Sequence, residues 1–411
     1  MRIAYFTDGY LPSVNGVSYV VDTHARLLAE NNQVEIFAPA YGWWNRNETG
    51  KNLKIFRYKS FPWPMYKDVH LAVPNIWKMI EEVNRFSPDV IHIHTPFSMG
   101  LSGILIAKLK KIPLVGTYHT LFSEVLVYVS PKKMLDKYLA AIEKAMTGVG
   151  VNIELRNLRG NGTGGEKLQQ KMAWNMVNKI YGYCDAVICP TEAIKKELVK
   201  RRFNKKLWVI SYGIDREVFK PNGKLVKEKI ILHSGRLAFE KNVDVVLKAF
   251  KLVTEKIPDS RLVIAGDGPA NKSLKELAKD LGIARKVTWL GMVPRNKLPQ
   301  IYRQAQVFVT ASTMETLGLV VLEALACGVP VVGVNKYALR DLILEDENGL
   351  IAEPGKPKAL AAAMIKVLKD ERLREKLSAG AIRSVQNHEL GKTKKKLEGL
   401  YHAGITGKGE S

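Results

Sequence analysis

Two glutamates, Glu315 and Glu323, stand in a segment that is otherwise small or apolar, and their setting says what they could bind. From Ala311 to Val331 the chain reads Ala-Ser-Thr-Met-Glu-Thr-Leu-Gly-Leu-Val-Val-Leu-Glu-Ala-Leu-Ala-Cys-Gly-Val-Pro-Val. This pattern predicts a helix opening near Thr316, whose first-turn N–H groups at Thr316, Leu317 and Gly318 would hold an anion. On such a helix the two carboxylates lie about 12 Å apart at 1.5 Å per residue. Glu323 has aliphatic and small neighbours on every side, and a buried carboxylate needs partners. Acids at both ends of an anion site suit a ligand with hydroxyls at its extremities and phosphates between, such as a nucleotide sugar. A capping acid at Glu315 and a structural ion pair at Glu323 fit the same residues.

A second constellation, His233-Ser-Gly-Arg-Leu-Ala-Phe-Glu-Lys-Asn242, follows another strand-like run. Gly235 lets the chain turn sharply off the strand. Arg236 and Lys241 then flank the start of a helix predicted over 242–254. A forked donor and a point charge beside a strand end suit a diphosphate, although two solvated cations fit as well. The chain has no Asp-x-Asp pair, and no metal is expected at the phosphates.

In the first half, Asp8-Gly-Tyr-Leu-Pro-Ser-Val-Asn-Gly-Val17 leads from a strand into a helix. Gly16 there admits a phosphate or sugar close to the backbone, or simply makes a turn. No G-x-G-x-x-G follows the strand, which disfavours a dehydrogenase. His92 and His94 alternate along one strand and share a face. No third ligand at suitable spacing joins them, so no metal is expected here either. His119 ends the run Leu114-Val-Gly-Thr-Tyr118, at the carboxyl end of a strand, where a doubly wound fold places functional groups.

Charge adds a further constraint. The 63 Lys and Arg outnumber the 40 Asp and Glu, leaving a net +23 shared by both halves. Such a chain expects anionic company: nucleic acid, anionic lipid or phosphorylated small molecules. Between Lys54 and Lys67 the cations Lys54, Arg57, Lys59 and Lys67 mix with the rings of Phe61, Trp63 and Tyr66, and Trp43 and Trp44 lie just upstream. A peripheral protein uses this mixture at an anionic bilayer. Stacking on RNA, the rim of an acceptor site or a solvated loop would use similar residues. Lys195 to Lys206 adds seven cations against Glu197.

The elements that must hold these loops read as an alternation. Apolar runs such as Arg2–Thr7, Asp89–His94, Ile230–His233 and Gln306–Val309 take turns with helical patterns from end to end. Continuously apolar strands are those covered by helices on both faces, so the fold class is α/β, with two doubly wound parallel sheets. A length of 411 residues suits two domains. The aperiodic stretch from Ser211 to Lys224 is the expected hinge, and the default site is the cleft between the sheets. Gly148–Gly165 reads as a surface loop and the tail from Glu389 as frayed at its end. The three cysteines form no CxxC, no apolar leader opens the chain, and Glu323 and Pro330 interrupt the longest apolar stretch. A cytoplasmic location is the expectation.

Together these motifs resemble those of the retaining glycosyltransferases of family 4, which have the GT-B fold of two Rossmann-like domains facing a central cleft. The Glu-x7-Glu element with its Gly-Val-Pro-Val ending and the Gly-Arg-x3-Glu-Lys-Asn segment carry the resemblance, which covers nearly the whole chain. It implies an acceptor-binding domain over 1–212, a nucleotide-sugar domain over 213–385, and a segment 386–411 packing back on the first. It also implies Glu323 on the nucleotide ribose, Glu315 on hydroxyls of the transferred sugar, and Arg236 with Lys241 on the diphosphate. Asn15-Gly16 would close on the donor, His119 would sit beside the anomeric carbon, and Met292 and Val293 would read the base through their backbone.

Tyr10–Val17, His92–Gly100 and Thr117–Thr120 look most like the diacylglycerol glucosyltransferases. That likeness implies a UDP-glucose donor, a diacylglycerol-like lipid acceptor, no cofactor, and peripheral attachment to the anionic inner face of the cell membrane. A soluble sugar, sugar-phosphate or phosphatidylinositol acceptor, with GDP-mannose as donor, is the runner-up. A nucleic-acid binder would leave Glu323 and the phosphate motif unexplained, so no nucleic-acid partner is expected. No second carboxylate stands at nucleophile distance, and the expected chemistry is front-face attack assisted by the leaving phosphate.

Overall fold

The structure, a computed structural model, describes residues 1–13, 15–42, 47–63, 66–119, 168–223 and 228–406. The chain divides into two compact units. One comprises Met1–Pro190, Lys195–Ile210 and Lys394–Ser411; the other comprises Thr191–Ile194 and Ser211–Thr393.

In the first unit the strands are β1 (Arg2–Phe6), β2 (Gln33–Pro39), β3 (Glu48–Thr49) and β4 (Leu53–Tyr58). Next come β5 (Ser60–Trp63) and β6 (Tyr66–Ala72), which pair only with each other. The sheet continues with β7 (Val90–Ile93), β8 (Leu114–Thr117), β9 (Ala186–Cys189) and β10 (Lys206–Val209). Its order is β10-β9-β8-β7-β1-β2-β4-β3, parallel throughout except for the short β3. Ile3, Ala4, Tyr5 and Phe6 are all fully buried, as a strand covered on both faces requires. The helix Gly16–Ala29 starts from a capping box: Asn15 accepts from the Ser18 N–H and the Ser18 hydroxyl accepts from the Asn15 N–H, both at 2.9 Å.

The second unit holds β11 (Ile230–Ser234), β12 (Arg261–Ala265), β13 (Val287–Gly291), β14 (Val307–Val309), β15 (Val331–Val334) and β16 (Gly349–Ala352). Their order is β13-β12-β11-β14-β15-β16, all parallel. Both sheets therefore reverse direction beside their first strand, β1 against β7 and β11 against β14. At such a point successive connections leave to opposite faces and a crevice opens beyond the carboxyl ends of the strands.

At the first reversal the crevice floor is tied by Asp8. Its buried carboxylate accepts from the hydroxyls of Thr95 and Ser98, both at 2.6 Å, and from the Met99 N–H at 3.0 Å. The acceptor thus caps the helix Ser98–Lys110 from another strand's exit. The segment Leu390–Thr406 ends the described chain, and its buried Tyr401 hydroxyl lies 3.0 Å from that of Tyr5 and 2.7 Å from His92 Nδ1.

A different carboxylate in this unit is poorly placed. Glu35 on β2 is buried, and no group among the described residues reaches its Oε2. Burial drives its pKa up to about 7; Lys54 and Arg85 oppose the rise and Glu82 adds to it. The folded chain then binds a proton that the unfolded chain has released, so stability falls as pH rises from about 4.5 to about 7. Glu35→Gln is expected to raise stability at pH 8 by on the order of 1–3 kcal/mol and to change little at pH 4. Urea denaturation at the two pH values checks this, and an equal effect at both would contradict it.

Candidate active site

At the second reversal, the turn after β11 is shaped by close backbone contact. Gly235 leaves the strand at φ +137°, and a Cβ on Gly266 would lie 1.9 Å from the Gly235 carbonyl oxygen. Only glycine allows that approach. The Leu237 N–H donates to the Asp267 carbonyl at 2.9 Å, which holds the half-buried Arg236 turn against the exit of β12. A Cβ built on Gly235 would come within 4.0 Å of Val320, so the turn lies over the start of the helix Leu319–Ala326.

Lys241 closes a short 3-10 turn, Phe239–Lys241, just before the helix Val243–Lys256. Its ammonium forms an ion pair with the Glu315 carboxylate, both side chains being mostly buried. Asn242, in the left-handed region at φ +50°, sends its amide to the Ala311 carbonyl and the Thr313 hydroxyl, each at 3.1 Å. That side chain fastens the cation's turn to the acid's loop. Below them, His233 donates from Nδ1 to the Val309 carbonyl at 2.9 Å, since a carbonyl can only accept. Burial lowers the His233 pKa to about 4 and keeps the ring neutral.

Glu323 is buried on the helix Leu319–Ala326 with both oxygens engaged: Tyr302 donates to one at 2.8 Å and Arg295 forms an ion pair with the other. Burial raises its pKa, while Arg295 and Tyr302 oppose the rise. The Arg295 guanidinium also rests 4.9 Å over the ring centre of Phe219. Met292 is 62 % exposed and Val293 partly so, on the loop that leaves β13.

One expectation needs correction here. The helix does not open near Thr316; it begins at Leu319, with Gly318 at its cap at φ +75°. Glu315 therefore precedes the helix, and the two acids are not separated by eight residues of helical rise. The first-turn amides belong to Leu319 and Val320, and Thr316 and the buried Leu317 lie in the approaching loop. Positive φ at Gly318 turns the chain before helical bonds can form.

In the first unit, Gly16 is exposed in open space, with nothing within 4 Å of where a Cβ would stand. His119 is buried at the end of β8, its Nε2 2.9 Å from His94 Nδ1, and burial lowers its pKa to about 3. The His92 and His94 rings stack with centres 4.1 Å apart.

Arg57 is withdrawn from the membrane and acceptor set. Its side chain is 1 % exposed, paired with Glu48 at 2.9 Å and donating to the Leu11 and Pro39 carbonyls. A guanidinium so satisfied stays inside. Lys54 lies with its ammonium 4.4 Å from the Phe56 ring centre, while Lys59 and Phe61 are exposed. Trp63, Tyr66 and Lys67 stand on β5 and β6, their side chains outside the described residues, as are Trp43, Trp44 and the stretch 148–165.

Two family models divide the chain between them: Glycosyltransferase Family 4 matches residues 14–218, and Glycosyl transferases group 1 matches residues 215–384. The alpha-monoglucosyldiacylglycerol synthase of Streptococcus pneumoniae is 32% identical over 85% of this chain and 75% of its own. The chain is a family 4 glycosyltransferase.

Its relatives differ in what their names say they act on. The N-acetyl-alpha-D-glucosaminyl L-malate synthase of Bacillus anthracis is 26% identical over 91% of this chain and 90% of its own. The structure of Anabaena HepE in complex with UDP superimposes with a TM-score of 0.72 at 18% identity, covering 98% of this chain and all of that one. The glycosyltransferase thus has the GT-B fold, with two Rossmann-like parallel sheets. It is a hexosyltransferase.

Sequence reasoning missed Asn242, Arg295, Tyr302 and Asp8 as partners. Asn242 had a local signal, an Asn directly before a helix, where left-handed backbone is tolerated. Arg295 and Tyr302 reach Glu323 from 28 and 21 positions away, and no spacing rule joins them. Arg295→Ala in this glycosyltransferase leaves a buried carboxylate with one hydroxyl for company. It is expected to lose about 1–3 kcal/mol of stability in urea titration. Adding Glu323→Gln should restore part of the loss, and additive losses would refute the pairing.

Proposed function

We propose that this enzyme transfers a glucosyl unit from UDP-glucose to a diacylglycerol-like lipid at an anionic membrane surface, with retention at the anomeric carbon. The observation that carries the reading is the Lys241–Glu315 pair, fastened by Asn242 beside the strand reversal at β11. In the unliganded enzyme the carboxylate occupies the cation that the diphosphate needs. On donor binding the phosphates take Lys241, with Arg236 adding its forked donors, and Glu315 turns to hydroxyls of the sugar.

At the far end, Glu323 accepts a ribose hydroxyl on its remaining lone pairs while Arg295 and Tyr302 hold it. The loop Thr316–Gly318 leads the phosphates to the first-turn amides, and the backbone of Met292 and Val293 reads the base. In this reading Gly16 is assigned to the donor and His119 to the transferred sugar. As the bond to the diphosphate breaks, negative charge grows on the leaving oxygens, and cations already in place stabilise it more than they stabilise the ground state. The departing phosphate then receives the proton of the attacking acceptor hydroxyl. No metal or cofactor is needed in this scheme.

The lipid acceptor is supported by the name of the Streptococcus pneumoniae relative, by the +23 charge, and by Lys59 and Phe61 exposed near one another on the first unit. Among the described residues no helix is long and apolar enough to cross a membrane. A soluble acceptor is the second reading, favoured by the name of the Bacillus anthracis relative.

Labelled UDP- and GDP-sugars, offered with anionic vesicles carrying diacylglycerol or with soluble acceptors, separate the readings. Label should enter lipid from UDP-glucose, and vesicle binding should weaken as salt rises. Incorporation only into a soluble acceptor would reject the lipid assignment. Glu315→Gln frees Lys241, so UDP should bind about two- to fivefold tighter, the equivalent of a partly exposed ion pair. The same variant should slow transfer about a hundredfold. Unaltered transfer would remove Glu315 from the site.

A further inference from the structure

We propose that Arg295 is a positioning residue for the nucleotide sugar: its guanidinium keeps Glu323 an ionised, oriented carboxylate with lone pairs left for both ribose hydroxyls. The proposal rests on the reading above that Glu323 meets the ribose, and every residue it uses lies in the second unit.

The helix that carries Glu323 offers a carboxylate no help of its own. Val321, Leu322, Ala324, Leu325 and Ala326 around it are all buried and apolar. Left alone there, the acid would take up a proton, because an uncompensated buried charge costs more than neutralisation. Both groups that act against this come from one short segment, the 3-10 turn Arg295–Lys297 and the helix Leu298–Tyr302 that follows it. Tyr302 donates a neutral hydroxyl at 2.8 Å, and Arg295 supplies the charge. Burial raises the Tyr302 phenol well above its ordinary value, so it stays protonated. Cys327, at the end of the acid's helix, feels Glu323 and Arg303, and burial pushes its thiol up to about 12, so it is neutral too. Among the described residues the charge balance at Glu323 is one carboxylate against one guanidinium.

Phe219 steadies both donors. Its buried ring lies 4.9 Å from the Arg295 guanidinium and meets the Tyr302 ring edge-on at 6.1 Å. A guanidinium backed by an aromatic face has its plane fixed. Arg295 keeps 29 % of its side chain exposed, which puts the pair at the edge of the unit.

A cation on a ligand-binding acid can either stay while the ligand joins the pair or be displaced by it. Charge decides between the two. Ribose hydroxyls are neutral donors, so a ribose that displaced Arg295 would leave a buried carboxylate without a counter-charge, a cost that two neutral hydrogen bonds do not offset. Arg295 therefore stays. At Lys241 the opposite holds, because an incoming diphosphate brings the charge that replaces Glu315. A carboxylate has about four lone-pair sites. Arg295 and Tyr302 use two of them, and a ribose has two hydroxyls for the rest. Protonation of Glu323 would take one of those sites for its own hydrogen.

Titration calorimetry of the full-length enzyme with UDP and with its 2′-deoxy and 3′-deoxy analogues, between pH 6 and pH 8, tests this. Wild type should bind UDP about tenfold or more tighter than either analogue. Arg295→Met keeps the stem on Phe219 and removes the charge, and should cut that preference to about threefold or less. UDP affinity of the variant should also weaken more steeply than wild type as pH falls, because Glu323 without its counter-charge takes up a proton at a higher pH. The phosphates of UDP titrate alike in both proteins, so the difference reports the enzyme. Arg295→Gln keeps a donor and removes only the charge, and should show the same pH-dependent loss. Arg295→Lys keeps the charge and should restore the wild-type pH profile and most of the preference. A loss equal at every pH and for all three nucleotides makes Arg295 structural and overturns the proposal, as does an unaltered preference in both neutral variants. If wild type binds UDP and both analogues alike, the ribose reading of Glu323 fails instead.

Discussion

A parallel sheet that reverses its strand order cannot close over its own reversal. The connections on either side leave to opposite faces, and the carboxyl ends of two adjacent strands are left uncovered. Both units of this protein have that constraint, at β1 and β7 and again at β11 and β14. Arg236, Glu315 and His119 stand on loops leaving one of these strands or a neighbour. The loops then need separate means of staying in place, because no ladder hydrogen bond extends into them. Gly235 against Gly266, Asn242 against Ala311, and Asp8 against Ser98 are those means.

Charge in the second unit is managed by pairing. Glu315 and Glu323 each have a cation within reach, Lys241 and Arg295. The two pairs differ in what surrounds them. Lys241 and Glu315 keep 24 % and 12 % of their side-chain surface exposed. Glu323 is 1 % exposed and also bonded to Tyr302, so it is held as a fixed acceptor. One acid keeps some contact with solvent and the other has almost none.

The buried histidines of the first unit are held without charge. Burial keeps His92, His94 and His119 neutral, and neutral imidazoles can stack where imidazolium ions would repel. Their hydrogen bonds run to hydroxyls and to each other, so orientation comes from tautomer and packing. The isolated acid Glu35 shows the contrast: without enough donors, a carboxylate in the same unit takes up a proton instead.

Much of this protein was legible from residue order because burial on both faces writes itself as continuous apolar runs, and because tight turns demand particular residues. Ile3–Phe6 and Ile230–His233 read as central parallel strands for the first reason, and Gly235 as a sharp exit for the second. The acids, cations and His119 were recognisable as types at strand ends. Their partners were not. Arg57 reads as one of several surface cations until Glu48 and two carbonyls are seen around it, and the helix start moved because Gly318 took a left-handed backbone. Tyr5 and Tyr401 meet across 396 positions of chain. Residue order determines propensity and parity, which act over a few neighbours. Which charges meet depends on distances of about 3 Å between distant segments, and only tertiary packing sets those.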